Sequence, residues 1–309
     1  MAAPFALAMR GHFVIIGKQP DGDSVRFIAD DPELFQAIHR GDRVKLSSVD
    51  GSVQLRFEGV DAPELHYGAA AQPLGKEARD QLLTWLGFTH VHYASPTSNT
   101  VNASTPEQIP GVILTKAAET HGRLISYVLT AQDAGSIRDG RWVRVGTALL
   151  RKTINLRQIE AGMTYYTVYT STPLEHRRVL RRAAAEARSA RQGVWARDTT
   201  GAFELDTQDD ISPTGQLILP KLFRRCTDYL KAVDRGFEGN LSDWLIAHTE
   251  GSRLENDQLL LPGNVEVRAL ITVRATSPSV YPSARCGGLR GAGGRSTEAK
   301  IAANIDRGF

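Results

Sequence analysis

The sequence predicts a mainly β protein of the α+β class, built on a partly open five-stranded barrel of the OB type with about three helices. Three observations lead to this prediction. About five strand-like segments occur early in the chain, helices are inserted between them and appended after them, and the strand order excludes a βαβ repeat. With 309 residues, the chain is long enough to bury a full core and to hold more than one domain.

The predicted strands alternate apolar and polar residues between turn-forming residues. They cover residues 11–17, 24–29, 89–94 and 123–130, and a fifth begins at Val53 and ends near Pro63, which cannot donate to a sheet. Between the last two strands, residues 95–110 lack periodicity and predict a polar loop.

The predicted helices carry apolar residues at helical spacing, with recognisable start and stop signals. They cover residues 30–42, 74–87, 155–163 and 174–193. In the third, Asn155 is the expected N-cap and Gly162 the expected end. The fourth carries arginines opposite its alanine-rich face, which is the pattern of a solvated helix surface or of a polyanion contact.

Beyond Trp195 the composition changes, and the sequence predicts three further regions. Residues 199–218 predict a linker. Residues 219–276 predict a small C-terminal region, with helices at 219–233 and 240–248 and a strand at 264–273. Residues 277–309 are rich in Gly, Ser and Arg, which predicts a disordered tail.

Composition excludes several classes of protein. The only cysteines, Cys226 and Cys286, exclude a disulfide framework. No apolar run approaches the roughly 20 residues of a membrane span. The first residues lack the pattern of a signal peptide, so we expect a cytoplasmic protein, with secretion left open. The net charge of +3 permits a polyanionic partner without arguing for one.

Three clusters of polar residues each have an ordinary explanation when taken alone. The sequence DGDS at residues 21–24 has the composition of a hairpin turn. Arg56, Asp61 and Glu64 fit a charged strand end on a solvated rim, and Arg123 fits a surface arginine at the start of a strand.

Taken together, the three clusters specify a site for phosphodiester hydrolysis. Asp23 and Asp61 offer the carboxylate oxygens that a hard cation such as Ca²⁺ prefers. Arg56 and Arg123 can each bind a phosphate through two N–H groups, which lysine cannot do. Glu64 follows a proline and can face a water molecule.

The same segments resemble the staphylococcal nuclease (thermonuclease) family over about residues 11–198. The resemblance rests on DGDSVRF, LRFEGVDAPE, HGRLISYVL, the arginine-rich helix and GVW, in that order. It implies an OB-type five-stranded barrel with three helices. It also implies a Ca²⁺-dependent phosphodiesterase that acts on DNA and RNA and leaves 3′-phosphates.

The resemblance also assigns roles to individual residues. The implied calcium ligands are the carboxylates of Asp23 and Asp61 and the main-chain carbonyl of Ala62. The implied catalytic residues are Glu64, which activates or orients the attacking water, and the two phosphate-binding arginines, Arg56 and Arg123. The implied substrates are single-stranded or denatured DNA and RNA. The protein is expected to be a monomer and not to bind a membrane.

The sequence departs from the family pattern at several positions. His121 stands where an aromatic residue usually precedes the Gly-Arg pair, and it is a further candidate for contacting nucleic acid. Tyr165, Tyr166 and Tyr169 resemble nucleotide-contacting tyrosines; Tyr166 and Tyr169 are the candidates for stacking on bases, and core packing is the alternative. Residues 30–51 and 95–118 are predicted insertions.

Two other functions compete with the nuclease. The first is a non-catalytic OB module that binds nucleic acid or protein, although such modules typically lack the carboxylates or arginines that this chain retains. The second places function in the C-terminal region, as a partner-binding module that uses the barrel as a scaffold.

Overall fold

The structure is a computed structural model that describes residues 5–168, 172–241, 244 and 245, together with the backbone of residues 272–274 and 284–287. Within these ranges, no helix has the length and apolar character needed to cross a lipid bilayer.

Thirteen strands are assigned in the described residues. They are β1 (Phe5–Val14), β2 (Arg26–Ala29), β3 (Val53–Phe57), β4 (Val60–Asp61), β5 (Thr89–Tyr93), β6 (Val101–Thr105), β7 (Gln108–Ala118), β8 (Leu124–Thr130), β9 (Trp142–Arg144), β10 (Tyr165–Tyr166), β11 (Phe203–Leu205), β12 (Thr272–Arg274) and β13 (Ala284–Gly287).

The largest sheet has the strand order β2-β3-β8-β7-β1-β9, and β1 also pairs with β2. This extra pairing closes five strands into a ring. All pairs in the sheet are antiparallel except β3 with β8, which run parallel. The chain therefore has a strand-rich, mixed fold with a five-stranded ring, as the sequence predicts in outline.

Seven α-helices accompany the strands in the described residues. They are α1 (Gly75–Leu86), α2 (Ala131–Ala134), α3 (Thr147–Leu150), α4 (Ile154–Glu160), α5 (Leu174–Ser189), α6 (Val194–Arg197) and α7 (Pro220–Asp234). Short 3-10 helices occur at Pro32–Ala37 and Gly41–Arg43, where the sequence predicts one short α-helix, and at Gln208–Ile211.

The ring is filled by the apolar faces that the strand pattern predicts. Val53, Leu55 and Phe57 on β3 are fully buried, whereas the intervening residues are partly exposed. Phe13 and Phe27, from paired strands β1 and β2, bring their ring centroids within 5.3 Å. Burial of these side chains in one cluster contributes most of the favourable free energy of folding.

The prediction of a polar loop at residues 95–110 is wrong for most of its second half. Residues 101–105 form β6, and β7 lies between β1 and β8, so residues 108–118 are part of the ring. The strand β7 was missed because it is buried on both faces: Ile113 packs inside the ring, while Val112 and Leu114 belong to a second cluster outside it. A strand with this burial lacks the alternating pattern.

The predicted N-cap of α4 is also wrong. Thr153 caps the helix by accepting a hydrogen bond from the backbone of Leu156. Asn155 lies inside the helix and is fully buried, where its amide joins α4 to β8 and to the residue that follows β3. Its Oδ1 accepts from the Val128 amide, and its Nδ2 donates to the carbonyls of Glu58 and Ser126.

The chain that follows the ring folds against it. The predicted linker contains β11 and a 3-10 helix, and Leu217 belongs to the core of the ring. Beyond it, α7 contributes to a separate core together with other apolar side chains. The buried members of this second core are Phe203, Leu205, Ile211, Ile218, Phe223, Cys226, Tyr229, Leu241, Trp244 and Leu245.

The rest of the predicted C-terminal region is described only in part. Strand β12 overlaps the end of the predicted strand at 264–273, and β13 falls within the predicted tail. Strand β13 pairs with β11 and with β12. The other residues beyond 245 lie outside the described residues.

Candidate active site

The sequence-predicted site residues lie on three segments that meet at one edge of the ring. The turn between β1 and β2 carries Asp23, whose carbonyl accepts a hydrogen bond of 3.0 Å from the amide of Phe57 at the end of β3. The parallel pairing of β3 with β8 places Arg56 opposite Ile125. Arg123, directly before β8, therefore lies close to the part of β3 that carries Arg56.

The turn before β2 approaches the loop after β4 closely because residue 22 is glycine. A Cβ atom there would lie 2.6 Å from the Cβ of Ala62 and 2.8 Å from the Cβ of Ala78 on α1. The carbonyl of Gly22 also accepts a hydrogen bond from the side chain of Gln158 on α4. Two helices and the β4 loop thus fix the position of Asp23.

The pKa of Asp23 reports which charges surround it. Burial raises this pKa, the guanidinium of Arg56 opposes the rise, and the carboxylate of Asp61 adds to it; Arg224 and Arg123 also oppose it. The structure therefore brings Arg56, Asp61 and Arg123 within electrostatic range of Asp23, and Glu64 is within range of Asp23 and Asp61. The structure adds Arg224, a cation that the sequence analysis did not identify.

Asp21, in the same turn, is a further carboxyl group near the site. Its Oδ1 accepts a hydrogen bond of 2.7 Å from the amide of Gly22. Burial, followed by the charges of Asp23 and Glu64, raises its pKa well above the ordinary value. Three carboxyl groups are thus close enough to disfavour one another's ionised forms.

Asp61 and Ala62 are held between the ring and β10. Asp61 ends β4, pairs with Tyr165 on β10 and is 5% exposed. Ala62 follows it and is also buried. The hydroxyl of Tyr165 donates to Asp198 at 2.9 Å, which ties this strand pair to the end of α6.

The backbone of Glu64 is held by Gln72. Its backbone amide donates to Gln72 Oε1 at 3.0 Å, and its carbonyl accepts from the Gln72 amide at 2.8 Å. Burial raises the pKa of Glu64 to about 7, with Arg224 opposing the rise and Asp61 and Asp23 adding to it. A carboxylate with this pKa can exchange a proton near neutral pH.

Arg123 is oriented by Glu119. Its Nε and Nη2 groups donate to the two carboxylate oxygens of Glu119, at 2.5 and 3.0 Å. This two-bond pair fixes the plane of the guanidinium and leaves its side chain one-third exposed at the edge of the site. The sequence analysis did not identify Glu119, although its spacing of four residues from Arg123 was visible.

The three candidates for contacts with bases differ in position. His121 is exposed in the turn before β8. Tyr166 is 5% exposed and packs in the core of the ring, so core packing, the alternative that the sequence left open, is what the structure favours. Tyr169 lies outside the described residues.

A comparison with known families matches the part of the chain from β3 to α6. Residues 54–197 match the family model of the staphylococcal nuclease homologues. This segment is similar to the staphylococcal nuclease homologues and is named the nuclease-homologue domain for that similarity. No curated protein matches the chain. The matched range contains Arg56, Asp61, Glu64 and Arg123. Strands β1 and β2 precede this range; they complete the ring and carry Asp23 between them.

Arg224 reaches the nuclease-homologue domain from α7, outside the matched range. Its Nη1 group lies 3.4 Å from Asp61 Oδ1 and donates a shorter hydrogen bond to Glu64 Oε1. Burial opposes the charge on Arg224, but Asp61 and Glu64 outweigh it and raise its pKa. No local signal in the sequence marks this contact, because it joins residues 160 positions apart.

The oxygen donors that the resemblance implies are of the type that a hard cation prefers. Among the described residues, no three side chains of His, Cys, Asp or Glu are grouped closely enough to hold a metal ion. The implied set needs only two carboxylates and the main-chain carbonyl of Ala62. The carboxylate of Asp61 raises the pKa of Asp23, and a cation between these oxygens would remove that repulsion.

Proposed function

We propose that the N-terminal domain, residues 11–198, is a calcium-dependent nuclease. It hydrolyses phosphodiester bonds of DNA and RNA with little sequence specificity and leaves 3′-phosphates. The observation that carries this proposal is the set of charges around Asp23, in which a second carboxylate, Asp61, meets the arginines Arg56, Arg123 and Arg224. The similarity of residues 54–197 to the nuclease-homologue family supports the same conclusion.

Glu64 is the residue that handles the attacking water. Its backbone is held by Gln72, and its carboxylate lies 13% exposed beside Asp61. With a pKa raised to about 7 by burial, it is a stronger base than an ordinary glutamate and is still largely ionised in mildly alkaline solution. It can therefore orient a water and accept its proton.

Arg56 and Arg123 neutralise charge on the phosphoryl group. Glu119 fixes the plane of the Arg123 guanidinium, so the Arg123 side chain loses little conformational freedom when it binds a phosphate oxygen. Preorganised donors of this kind typically contribute about 10²–10³ in rate. Asp23, Asp61 and the carbonyl of Ala62 would hold Ca²⁺, which when bound supplies electrostatic stabilisation of the phosphoryl oxygens.

The substrates are single-stranded or denatured DNA and RNA. Each residue assigned here acts on the phosphate or on water, and none is assigned to a base edge. Recognition through phosphates carries no sequence information, so cutting is expected to tolerate most sequences.

Incubation of single-stranded DNA with purified protein, in Ca²⁺ and in EGTA, tests this function. The native protein should degrade the DNA only with Ca²⁺. Glu64→Gln should lower the rate by about 10²–10⁴, the usual contribution of a general base. Glu33→Gln, which removes an exposed carboxylate far from the site, is the matched control and should keep full activity.

The same experiment decides between the nuclease and a non-catalytic binding module. The pairing of Arg224 with Asp61 and Glu64 favours the module, because both carboxylates already have a cationic partner. DNA that is retained on a gel and left intact by native protein in Ca²⁺ would identify the module and contradict the nuclease. If DNA is cut, primer extension before and after phosphatase treatment shows whether the ends carry 3′-phosphates.

A further inference from the structure

Arg224 links a helix outside the nuclease-homologue domain to the carboxylates at the centre of its site. We propose that Arg224, which also pairs with Glu64, sets the cation affinity of this site by competing with a divalent cation for Asp61. This inference rests on the proposed function, since it concerns the same site. It makes α7 part of the catalytic unit and not a separate module.

In this contact the guanidinium of Arg224 binds the carboxylates of Asp61 and Glu64. Two nitrogens of Arg224 lie 3.4 and 3.5 Å from the same oxygen, Asp61 Oδ1, and Nη1 also donates to Glu64. The side chains of Asp61 and Glu64 are only 7% and 13% exposed. In such a position the interaction between charges is screened much less than at the surface.

The helix that carries Arg224 is attached to the loop that carries Glu64. Gln72 bridges the two: its Oε1 accepts from the amide of Glu64, and its Nε2 donates to the carbonyl of Ile218, two residues before α7. Within α7, Asp228 accepts a hydrogen bond of 2.6 Å from the hydroxyl of Tyr67. These two contacts fix the position of α7 beside the site, while the side chain of Arg224 itself takes part in neither.

Competition follows from charge and from shared oxygens. A divalent cation bound by Asp61 would lie within a few ångströms of the guanidinium, and like charges at that distance repel strongly in a partly buried site. The cation must either displace Arg224 from Asp61 or bind beside it at a lower affinity. The side chain of Arg224 is one-quarter exposed and flexible enough to move away.

Calcium titration of the full chain, without nucleic acid, tests the inference. Isothermal titration calorimetry with CaCl₂ would compare the native protein with Arg224→Gln, Arg224→Lys and Arg235→Gln. Arg235 is the matched control: it is also an arginine, but it is exposed at the C-terminal end of α7.

We expect Arg224→Gln to bind Ca²⁺ at least about tenfold more tightly, because the repelling charge is gone. Arg224→Lys keeps the charge but loses the two-nitrogen contact, so its affinity should fall between those of the native protein and Arg224→Gln. Arg235→Gln should bind as the native protein does. Equal or weaker binding by Arg224→Gln would overturn the proposal, and if that variant does not fold, unchanged binding by Arg224→Lys would do so.

The outcome can be separated from a failure of the proposed function. Calcium-dependent DNA cutting by the native protein, with no change of affinity in the Arg224 variants, would reject only the competition. Absence of both calcium binding and DNA cutting in every variant would reject the competition and the calcium-dependent nuclease together.

Discussion

At the scale of single residues, buried charged and titratable side chains in this chain have specific partners. Glu58 is 4% exposed, and it accepts a hydrogen bond from Thr172 that lies within the same buried region. His176 is buried between the hydroxyl of Tyr127 and the carbonyl of Val145. Such partners offset the cost of removing polar groups from water, and they make the folded state sensitive to pH.

His176 allows a prediction about stability. Burial lowers its pKa; the Val145 carbonyl and Glu175 oppose the shift, while Lys116 and Arg144 add to it. The unfolded chain then binds more protons than the folded one below the ordinary histidine pKa. The contribution of neutral His176 to the free energy of unfolding is complete above about pH 6.5. It is lost as the pH falls through the lowered pKa that His176 has in the folded state.

Replacement of His176 by Gln should therefore flatten the decline of the free energy of unfolding between pH 7 and pH 5. Urea unfolding at several pH values measures this slope. The variant will be less stable at pH 8 because its packing changes, so only the difference in slope is decisive. An identical slope in both proteins would show that His176 does not contribute to the pH dependence.

At the scale of elements, close packing positions the candidate site. The turn that carries Asp23 lies against the β4 loop and α1 because Gly22 leaves room for Ala62 and Ala78. Gly22→Ala would place a methyl group within 3 Å of two Cβ atoms. Because these atoms cannot move independently of their backbones, the turn must shift, at a cost of typically about 1–3 kcal/mol.

We expect Gly22→Ala to lower both the melting temperature and the nuclease rate, since the shift moves Asp23 away from Asp61. Gly146→Ala is the matched control: an added Cβ there would approach only the end of the flexible Arg144 side chain, at 3.7 Å. Thermal unfolding and DNA cutting, measured for both variants, check this. Full activity of Gly22→Ala would mean that the position of Asp23 is not critical.

The success of sequence-based reasoning also depends on the element. Strand β3 was predictable because Val53, Leu55 and Phe57 alternate with polar residues on a half-exposed strand. Strand β7 was missed because it is buried on both faces. Arg224 was missed because its partners are distant in sequence, and the pairing depends on how α7 docks on the loop after β4, which no local pattern encodes.

At the scale of the whole molecule, the segment after the nuclease-homologue domain contributes to the domain's own stability. Leu217 lies in the core of the ring and is 1% exposed. The carbonyl of Ile218 accepts a hydrogen bond from the buried Gln72. Removal of all residues after Asp198 would expose the surface beneath Leu217 and leave the amide of Gln72 without this acceptor.

A chain that ends at Asp198 should therefore be less stable than the full chain. The loss of a buried leucine corresponds to about 1.5–3 kcal/mol, and the lost hydrogen bond of Gln72, whose amide would then face water, adds about 0.5–1.5 kcal/mol. Urea unfolding of the two proteins measures the difference, and full-length Leu217→Ala isolates the part that comes from the core. If the shortened chain unfolds at the same urea concentration and with the same slope as the full chain, the ring is independent of the C-terminal segment. In that case α7 and Arg224 would act on the site without helping to build it.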